Sequence, residues 1–331
     1  MDTQLNPPRR PELDLIPYRP EMAPDLLTVW HSAIGDRYPI MPALWETNTQ
    51  GDPSFTPEDL LVAVQDGAIA GFALTKRFRE EAVTCERYLS VGYLALMAVA
   101  PGVQRQGLGS RLLAAAEARL RDGGAEKVVL GGSFHHFMPG VPSNWAEARA
   151  FVAARGYAMG KDVCDVRRDL TSETPLPDVS ELLAARPHVT IRPYQEGESN
   201  PLMKFLLSNF PGRWPRDVGY FLDHGGDIGQ IMGLFVDGVP RGFAHLHPPG
   251  SPGARRWAGF NPAVSALGPI GVGKVVQGHG LGLALLVKGL EHLKALGATD
   301  TVIDWTDLIA FYGKCGFTPF QGYTLGEKGL R

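Results

Sequence analysis

The stretch Val99-Ala-Pro-Gly-Val-Gln104-Arg105-Gln106-Gly107-Leu108-Gly109-Ser110-Arg-Leu-Leu carries an apolar strand pattern through a glycine-spaced turn into a helix pattern. A helix that opens on such a turn presents backbone N–H groups with no intrahelical acceptor. Glycine admits backbone conformations closed to other residues and lets an anion approach closely, while the helix dipole adds positive potential. The chemistry on offer is phosphate binding, with the Arg105 guanidinium and the Ser110 hydroxyl available to supplement the amides. A single Gly-X-Gly serves equally well as an ordinary strand-to-helix connection. Here it occurs twice: Val272-Gly-Lys-Val-Val-Gln277-Gly278-His279-Gly280-Leu281-Gly282-Leu283-Ala-Leu-Leu begins 173 positions after Val99. The second copy keeps the Gln, both Gly, the Leu between them and the closing Leu pair.

Neither turn completes Gly-X-Gly-X-X-Gly, and Gly271-Val-Gly273-Lys274-Val275 lacks the length and the Ser/Thr of a P-loop. His245 and His247, two apart on a strand pattern, share one face. No third ligand accompanies them, so no metal site is expected. His135 and His136 lie in the loop Ser133 to Pro142 with Phe134, Phe137 and Met138. A long loop of this kind is often functional, and it serves equally to seal an interface. His279 reads as a surface residue or as a phosphate contact.

Composition narrows the classes. With 32 basic and 35 acidic residues the formal charge is −3, so no global field recruits nucleic acid or an anionic membrane. Cys85, Cys164 and Cys315 are scattered, which implies a reducing compartment and no structural zinc. The first residues show no apolar core behind their charges, and no segment reaches the roughly 18 apolar residues of a membrane span. The expectation is a soluble, cytoplasmic protein of undefined oligomeric state.

The elements that must position these residues recur in order. A Pro-rich leader precedes a short strand at Leu13 to Tyr18 and a helix around Pro24 to Ile34. Two apolar runs flanking Asp66-Gly67 signal a β-hairpin. A long apolar strand, Tyr88 to Val99, feeds the first turn, and the helix beyond it places Leu112, Leu113, Ala116 and Leu120 on one face. Lys127 to Leu130 is a further strand, Asn144 to Gly156 a capped helix, and Asp162 to Leu170 the closing strands. Val189 to Tyr194 restarts the series, with a helix around Leu202 to Ser208, a hairpin at Asp237-Gly238 and a strand from Ala266 to Val272. Leu285, Leu286, Gly289 and Leu293 repeat the buried stripe 173 positions on, and Thr301 to Trp305 and Ala310 to Phe317 complete the second copy. Gln104 to Gly156 spans 52 positions and Gln277 to Gly316 spans 39, which places a 13-residue insertion at the His135–His136 loop. The chain is therefore a tandem duplication of a mixed α/β unit, with copies at 1–172 and 188–331 and a Ser/Thr/Pro/Glu-rich linker at 173–187.

On these motifs both halves resemble the GNAT acyltransferases, whose signature is a strand, a Gln/Arg-X-X-Gly-X-Gly/Ala turn, a helix, a strand and a last helix near Phe-Tyr-X-X-X-Gly-Phe. The resemblance implies an α+β mixed sheet of the GNAT acyl-CoA transferase fold in two tandem copies. It further implies that acetyl-CoA is the co-substrate, its pyrophosphate held at Gln104 to Ser110 or Gln277 to Leu283 and its pantetheine arm along the backbone near Val99 or Val272. Transfer is then direct, from the thioester to an amine, with a general acid protonating the departing thiolate. Tyr312 holds the place of that acid in the second copy, where the first has Val152; a Tyr there can also serve packing alone. The carboxylate often found four residues before the Val of the turn is absent, Ala95 and Gly268 standing there. The base is then a water relay or a residue from elsewhere, such as Asp304 or His245.

The expected function is acetylation of a small-molecule primary amine, without nucleic-acid or membrane partners. Tyr312 points to the second half, whereas Pro101, Arg105 and Ser110 make the first turn the better phosphate cradle. Catalysis in the first half, or non-catalytic binding or sensing of acyl-CoA, is the alternative.

Overall fold

The computed structural model describes residues 13–79 and 85–330; the Pro-rich leader lies outside the described residues. The first half comprises β1 (Leu13–Pro17), α1 (Ala23–Ile34), α2 (Pro42–Asn48), β2 (Leu60–Gln65), β3 (Ala68–Arg77), β4 (Val91–Val99), α3 (Leu108–Asp122), β5 (Lys127–Leu130), β6 (Val141–Pro142), α4 (Ala146–Ala153) and β7 (Ala158–Asp169). After α5 (Ser180–Ala184) the second half comprises β8 (Val189–Pro193), α6 (Ser199–Asn209), α7 (Arg213–Asp223), β9 (Ile231–Val236), β10 (Val239–His247), β11 (Val264–Val272), α8 (Leu281–Ala295), β12 (Asp300–Thr306), α9 (Ile309–Gly313) and β13 (Thr318–Gly329).

The strands form one mixed sheet in the order β1-β2-β3-β4-β5-β13-β7-β12-β11-β10-β9-β8, with β6 beside β13. The two halves exchange their last strands. β13, from the second half, pairs antiparallel with β5, and β7, from the first half, pairs antiparallel with β12. Between them β7 and β13 pair with each other from Thr318 against Arg167 to Glu327 against Ala158. Two sheets that would each have ended in an open edge thus become one.

Helix faces explain the layers. Leu112, Leu113, Ala116 and Leu120 of α3 are buried, as are Leu285, Leu286, Gly289 and Leu293 of α8, so each half seats its long helix on its sheet through the duplicated stripe. The Asp66-Gly67 and Asp237-Gly238 turns take positive φ at both residues, the geometry that suits a two-residue hairpin. Among the described residues no helix is long and apolar enough to cross a membrane.

Several elements differ from the sequence reading. β4 begins at Val91, Glu86–Tyr88 forming a 3-10 turn instead. The stretch expected to be closing strands is the single long β7, and β13 carried no signal because Gly322, Gly326, Gly329 and Pro319 interrupt any apolar alternation. Its strand character comes from being paired on both sides, a tertiary effect. The linker is partly ordered: α5 lies within it, and Leu176, Val179, Leu182 and Leu183 pack on the second half's core.

Strand exchange couples the halves thermodynamically, since unfolding either one strips a strand from the other. Calorimetry is expected to give a single unfolding transition whose van't Hoff and calorimetric enthalpies agree; two separate transitions would show that the exchanged strands do not couple the halves.

Candidate active site

Both glycine turns start a helix. Gly107 and Gly280 precede α3 and α8 in left-handed conformation, with φ of 89° and 76°. Arg105 (φ 63°) and Gly278 (φ 79°) take the same region two residues earlier, at a steric cost for arginine and none for glycine. Gln104 and Gln277 lock their turns, each Nε2 donating to the carbonyl of Val99 (2.9 Å) or Val272 (3.1 Å). Gln106, Gly107, His279 and Gly280 are exposed, whereas Leu108 and Leu281 are buried and offer a ligand only their amides. Ser110 is engaged: its Oγ accepts from Arg155 Nη2 at 2.6 Å, and that guanidinium lies 3.6 Å over the Phe151 ring. Gly109 and Gly282 face the Val99 and Val272 side chains, both 3.8 Å from a built Cβ. Among the described residues nothing stands within 4 Å of the Cβ position at Gly107 or Gly278, whereas Leu182 of α5 lies 3.3 Å from that position at Gly280. Exposed first-turn amides under open ground fit a pyrophosphate.

Next to each turn the sheet splits. β4 and β5 pair over Val91–Leu94 and Lys127–Leu130, β11 and β12 only over Val264–Ala266 and Asp300–Val302, and then the strands part. Each inner strand carries a β-bulge at the duplicated position. Ala95 is the extra residue of β4, and Gly268 and Pro269 of β11 stand opposite His245 alone. In the first half the gap is filled: Phe137 and Met138 are buried with Ala95, Leu96 and Trp45, and the neighbouring void holds about 20 Å³. In the second half the gap opens into a cleft of about 1060 Å³, which Asp304, His245, His247, Arg256, Trp305 and Tyr312 line together with Asn48, Tyr93, His135 and His136 of the first half.

Asp304 stands at the centre of the charged groups in that cleft. It occupies a bulge of β12, where Asp304 and Trp305 together face Asp165 of β7. A bulge frees an amide from the ladder and re-aims a side chain. The freed Trp305 amide, at a residue with φ 49°, donates to Asp165 Oδ1 at 3.1 Å. Asp165 Oδ2 accepts from Trp257 Nε1 and from the Tyr323 hydroxyl, each at 3.1 Å. Burial, reinforced by the nearby Asp304 charge, pushes the Asp165 carboxyl up to about 6 despite Arg256 and these donors. Asp304 goes the other way. Burial alone would raise it, but Arg256, whose Nη1 donates to Oδ2 at 2.9 Å, and His136, whose Nε2 donates to the same oxygen at 3.1 Å, hold it well below the carboxylate range. Oδ1 lies 3.8 Å from the Cβ position of Gly268.

Arg213 and Asp217, which pair at 2.9 Å, also line the cleft, whereas Tyr312 and His245 are neutral. Burial pushes the Tyr312 phenol, on α9, up to about 12, with Asp304 adding to the effect. Burial, and then His247, hold His245 well below 6.5. The His245 and His247 rings lie 4.1 Å apart, and His247 Nε2 donates to the Gly268 carbonyl at 2.9 Å. Among the described residues His245 Nε2 is buried without a hydrogen-bond partner.

Residues 29–137 and again 200–317 match the model of the acetyltransferase (GNAT) family. The chain belongs to the GNAT family. It is 25% identical over 283 residues to the mycothiol acetyltransferase of Geodermatophilus obscurus, covering 78% of this chain and 79% of that protein. Among solved structures it resembles a GCN5-related glucosamine N-acetyltransferase region in a fungal multi-domain GH3 β-N-acetylglucosaminidase, with a TM-score of 0.87, 23% identity, 99% of this chain and 39% of that longer one. It also resembles a tandem GNAT protein of the clavulanic acid biosynthesis pathway, at a TM-score of 0.66 and 17% identity over 97% and 99% of the two chains. These likenesses show the fold, and the family makes this GNAT protein an acyltransferase that transfers an acetyl group to an amine, drawing on acetyl-CoA.

Of the residues singled out in the sequence, the structure gathers Tyr312, Asp304, His245, His247, His135 and His136 in one cleft of this GNAT protein and leaves the two glycine turns outside it. Arg256 and Asp165 went unnoticed. Arg255 and Arg256 are adjacent and indistinguishable in sequence, yet Arg255 donates to Thr47 Oγ1 and Arg256 to Asp304.

The His135–His136 loop is held from behind by a buried ion pair. Lys76 and Asp52 are 5% and 4% exposed and meet at 2.7 Å, and Lys76 Nζ also donates to the carbonyls of His135 (2.9 Å) and Phe134 (3.3 Å). Lys76→Met strands the Asp52 carboxylate and is expected to cost about 3–5 kcal/mol in urea-unfolding free energy; a loss under about 1 kcal/mol would mean that the pair does not secure the loop.

Proposed function

We propose that this GNAT protein acetylates the primary amine of a small molecule, with the chemistry in the second half, in the cleft between β11 and β12. Two domains, 1–172 and 188–331, joined by 173–187, are the corresponding division of the chain. The observation that carries the reading is the Asp304 Oδ1 atom, 3.8 Å from where a side chain at Gly268 would begin. A carboxylate from the neighbouring strand thus stands beside the position at which both copies lack one. The filled gap of the first half and the roughly 1060 Å³ cleft of the second favour the same side, as does Tyr312, which the first half replaces with Val152. The name of the mycothiol acetyltransferase relatives supports a small-molecule acceptor.

Bound acetyl-CoA supplies the acetyl group as a thioester, with the pyrophosphate on the exposed amides from Gln277 to Leu283. The residues then divide the work. The amine reacts as the free base, its ammonium proton having already left to solvent. Asp304, held as a carboxylate, accepts an N–H of that amine through Oδ1 and orients it. His245 Nε2, neutral and unpartnered among the described residues, takes the second proton as the nitrogen lone pair attacks; a base held this low acts only then, when forming the N–C bond makes the N–H strongly acidic. Tyr312, protonated throughout the neutral range, gives its proton to the departing sulfur. The first glycine turn is assigned a supporting role, although its phosphate ground is the more open of the two.

The test is thiol release from acetyl-CoA against an amine panel of glucosamine, an aminoglycoside, a polyamine and amino acids. Tyr312→Phe is expected to lower kcat roughly 10²- to 10⁴-fold with little change in the KM for acetyl-CoA. Asp304→Asn is expected to raise the KM of the amine. With the phenol pushed up to about 12, the wild type should show no basic limb from Tyr312 below about pH 10. Turnover untouched by both substitutions would remove the second half as the catalytic one.

A further inference from the structure

The insertion that separates the two copies does two things at once. Phe137 and Met138 fill the first half's own gap, while His135 and His136, from the same loop, line the cleft of the second half. Nothing in the acid, base and anchoring roles above requires a residue from the first half, yet one arrives with its backbone secured. Lys76 holds the carbonyl of His135 and Asn48 Nδ2 donates to the carbonyl of His136 at 3.0 Å. The His136 ring lies edge-on to Trp305, with centroids 5.2 Å apart, and its Nε2 reaches Asp304 Oδ2.

A carboxylate turns easily about its last bond, because an sp³–sp² torsion is broad and two-fold. One donor leaves the plane of the group free to swing about the hydrogen bond. Two donors on one oxygen, arriving from different elements, fix the plane and leave the other oxygen uncommitted. We propose that His136 is a positioning residue for acetyl transfer, contributed by the first half: together with Arg256 it saturates Asp304 Oδ2, so that Oδ1 alone faces the incoming amine. This rests on the reading of the second half as catalytic, and it gives the first half a part in the chemistry that needs no catalysis of its own.

Burial and the charge of Arg256 hold His136 down to about 3, so it is neutral and Arg256 supplies the countercharge. Its contribution is therefore direction and hydrogen bonding. Among the described residues, other titratable or charged groups that act on Asp304 or feel it include Arg213 of α7, His247 of β10, Asp165 of β7 and Tyr312 of α9, and none of these four donates to Oδ2 in place of His136.

The experiment compares His136→Phe, which keeps a ring without a donor, with His136→Gln, which keeps a donor, in the full chain. Crystal structures of both variants report the carboxylate directly. In His136→Phe the Asp304 plane is expected to be rotated or split between orientations, and in His136→Gln to match the wild type. Steady-state kinetics with acetyl-CoA and glucosamine as the amine probe give the second readout. His136→Phe is expected to lose about 10- to 100-fold in kcat/KM for the amine, with the KM for acetyl-CoA unchanged. His136→Gln should recover most of the loss.

An unmoved carboxylate in His136→Phe overturns the proposal, as does equal damage in both variants, which would assign the ring to packing on Trp305. If His136→Phe does not fold, Asn48→Ala, which releases the His136 carbonyl, is expected to shift the same readouts in the same direction by less, and no shift overturns the proposal. Asp304→Asn separates the two ideas. An unchanged kcat/KM for the amine in Asp304→Asn removes the anchoring role of Asp304 on which the proposal stands, whereas an impaired kcat/KM there with a wild-type His136→Phe removes only the role of His136.

Discussion

A carboxylate on the wall of a cleft, its side chain 27% exposed, must still be compensated, and the compensation of Asp304 draws on both halves of the molecule. Withdrawing most of an ion from water without partners is costly. Arg256 and His136 supply hydrogen bonds to the same oxygen, one from each half of the chain. Asp165, on the strand that the first half lends to the second, accepts the backbone amide that the bulge at Trp305 frees. The halves can cooperate at this one residue only if their relative placement is fixed, and the exchanged strands β7 and β13 fix it through a continuous ladder.

The duplication kept its frame and diverged at the gap in the sheet. Both copies retain the glycine turn, the Gln that ties it to the strand carbonyl, the bulge one turn earlier and the apolar stripe of the long helix. The first copy then filled its gap with Phe137 and Met138, and its helix end carries Phe151-Val152 where the second has Phe311-Tyr312. The second copy kept the gap open and placed Gly268 beside Asp304. A filled gap stiffens the first half and lets it serve as a mount for the loop that reaches across.

Much of this was legible in the sequence where the signal is local. The turns, hairpins and helix stripes recur at a fixed offset and rest on glycine conformations and apolar periodicity. The cleft was partly legible, since Tyr312, Asp304, His245 and the histidine loop each stood out by type or setting. What stayed hidden depends on distant partners. Strand exchange leaves no local trace, because β13 is a strand only by being paired on both sides. α7 was missed although Trp214, Val218, Phe221 and Leu222 keep helical spacing: Pro215 and Gly219 stand among them, yet a proline in the first turn loses no intrahelical bond. Arg256 could not be told from Arg255 without the fold that aims one at Asp304 and the other at Thr47.

The two glycine turns offer a matched pair for locating the chemistry. Gly107 and Gly280 have nearly equal positive φ, so a bulky residue imposes comparable backbone strain at either site, and the Leu182 side chain, 3.3 Å from the Cβ position at Gly280, must also give way there. The decisive measurement is thiol release by Gly280→Trp and Gly107→Trp under saturating amine, with folding checked by thermal melt. Turnover lost in Gly280→Trp and retained in Gly107→Trp is the expected result. Turnover retained in Gly280→Trp and lost in Gly107→Trp would place the reaction in the first half and leave the Asp304 cleft without its assigned role.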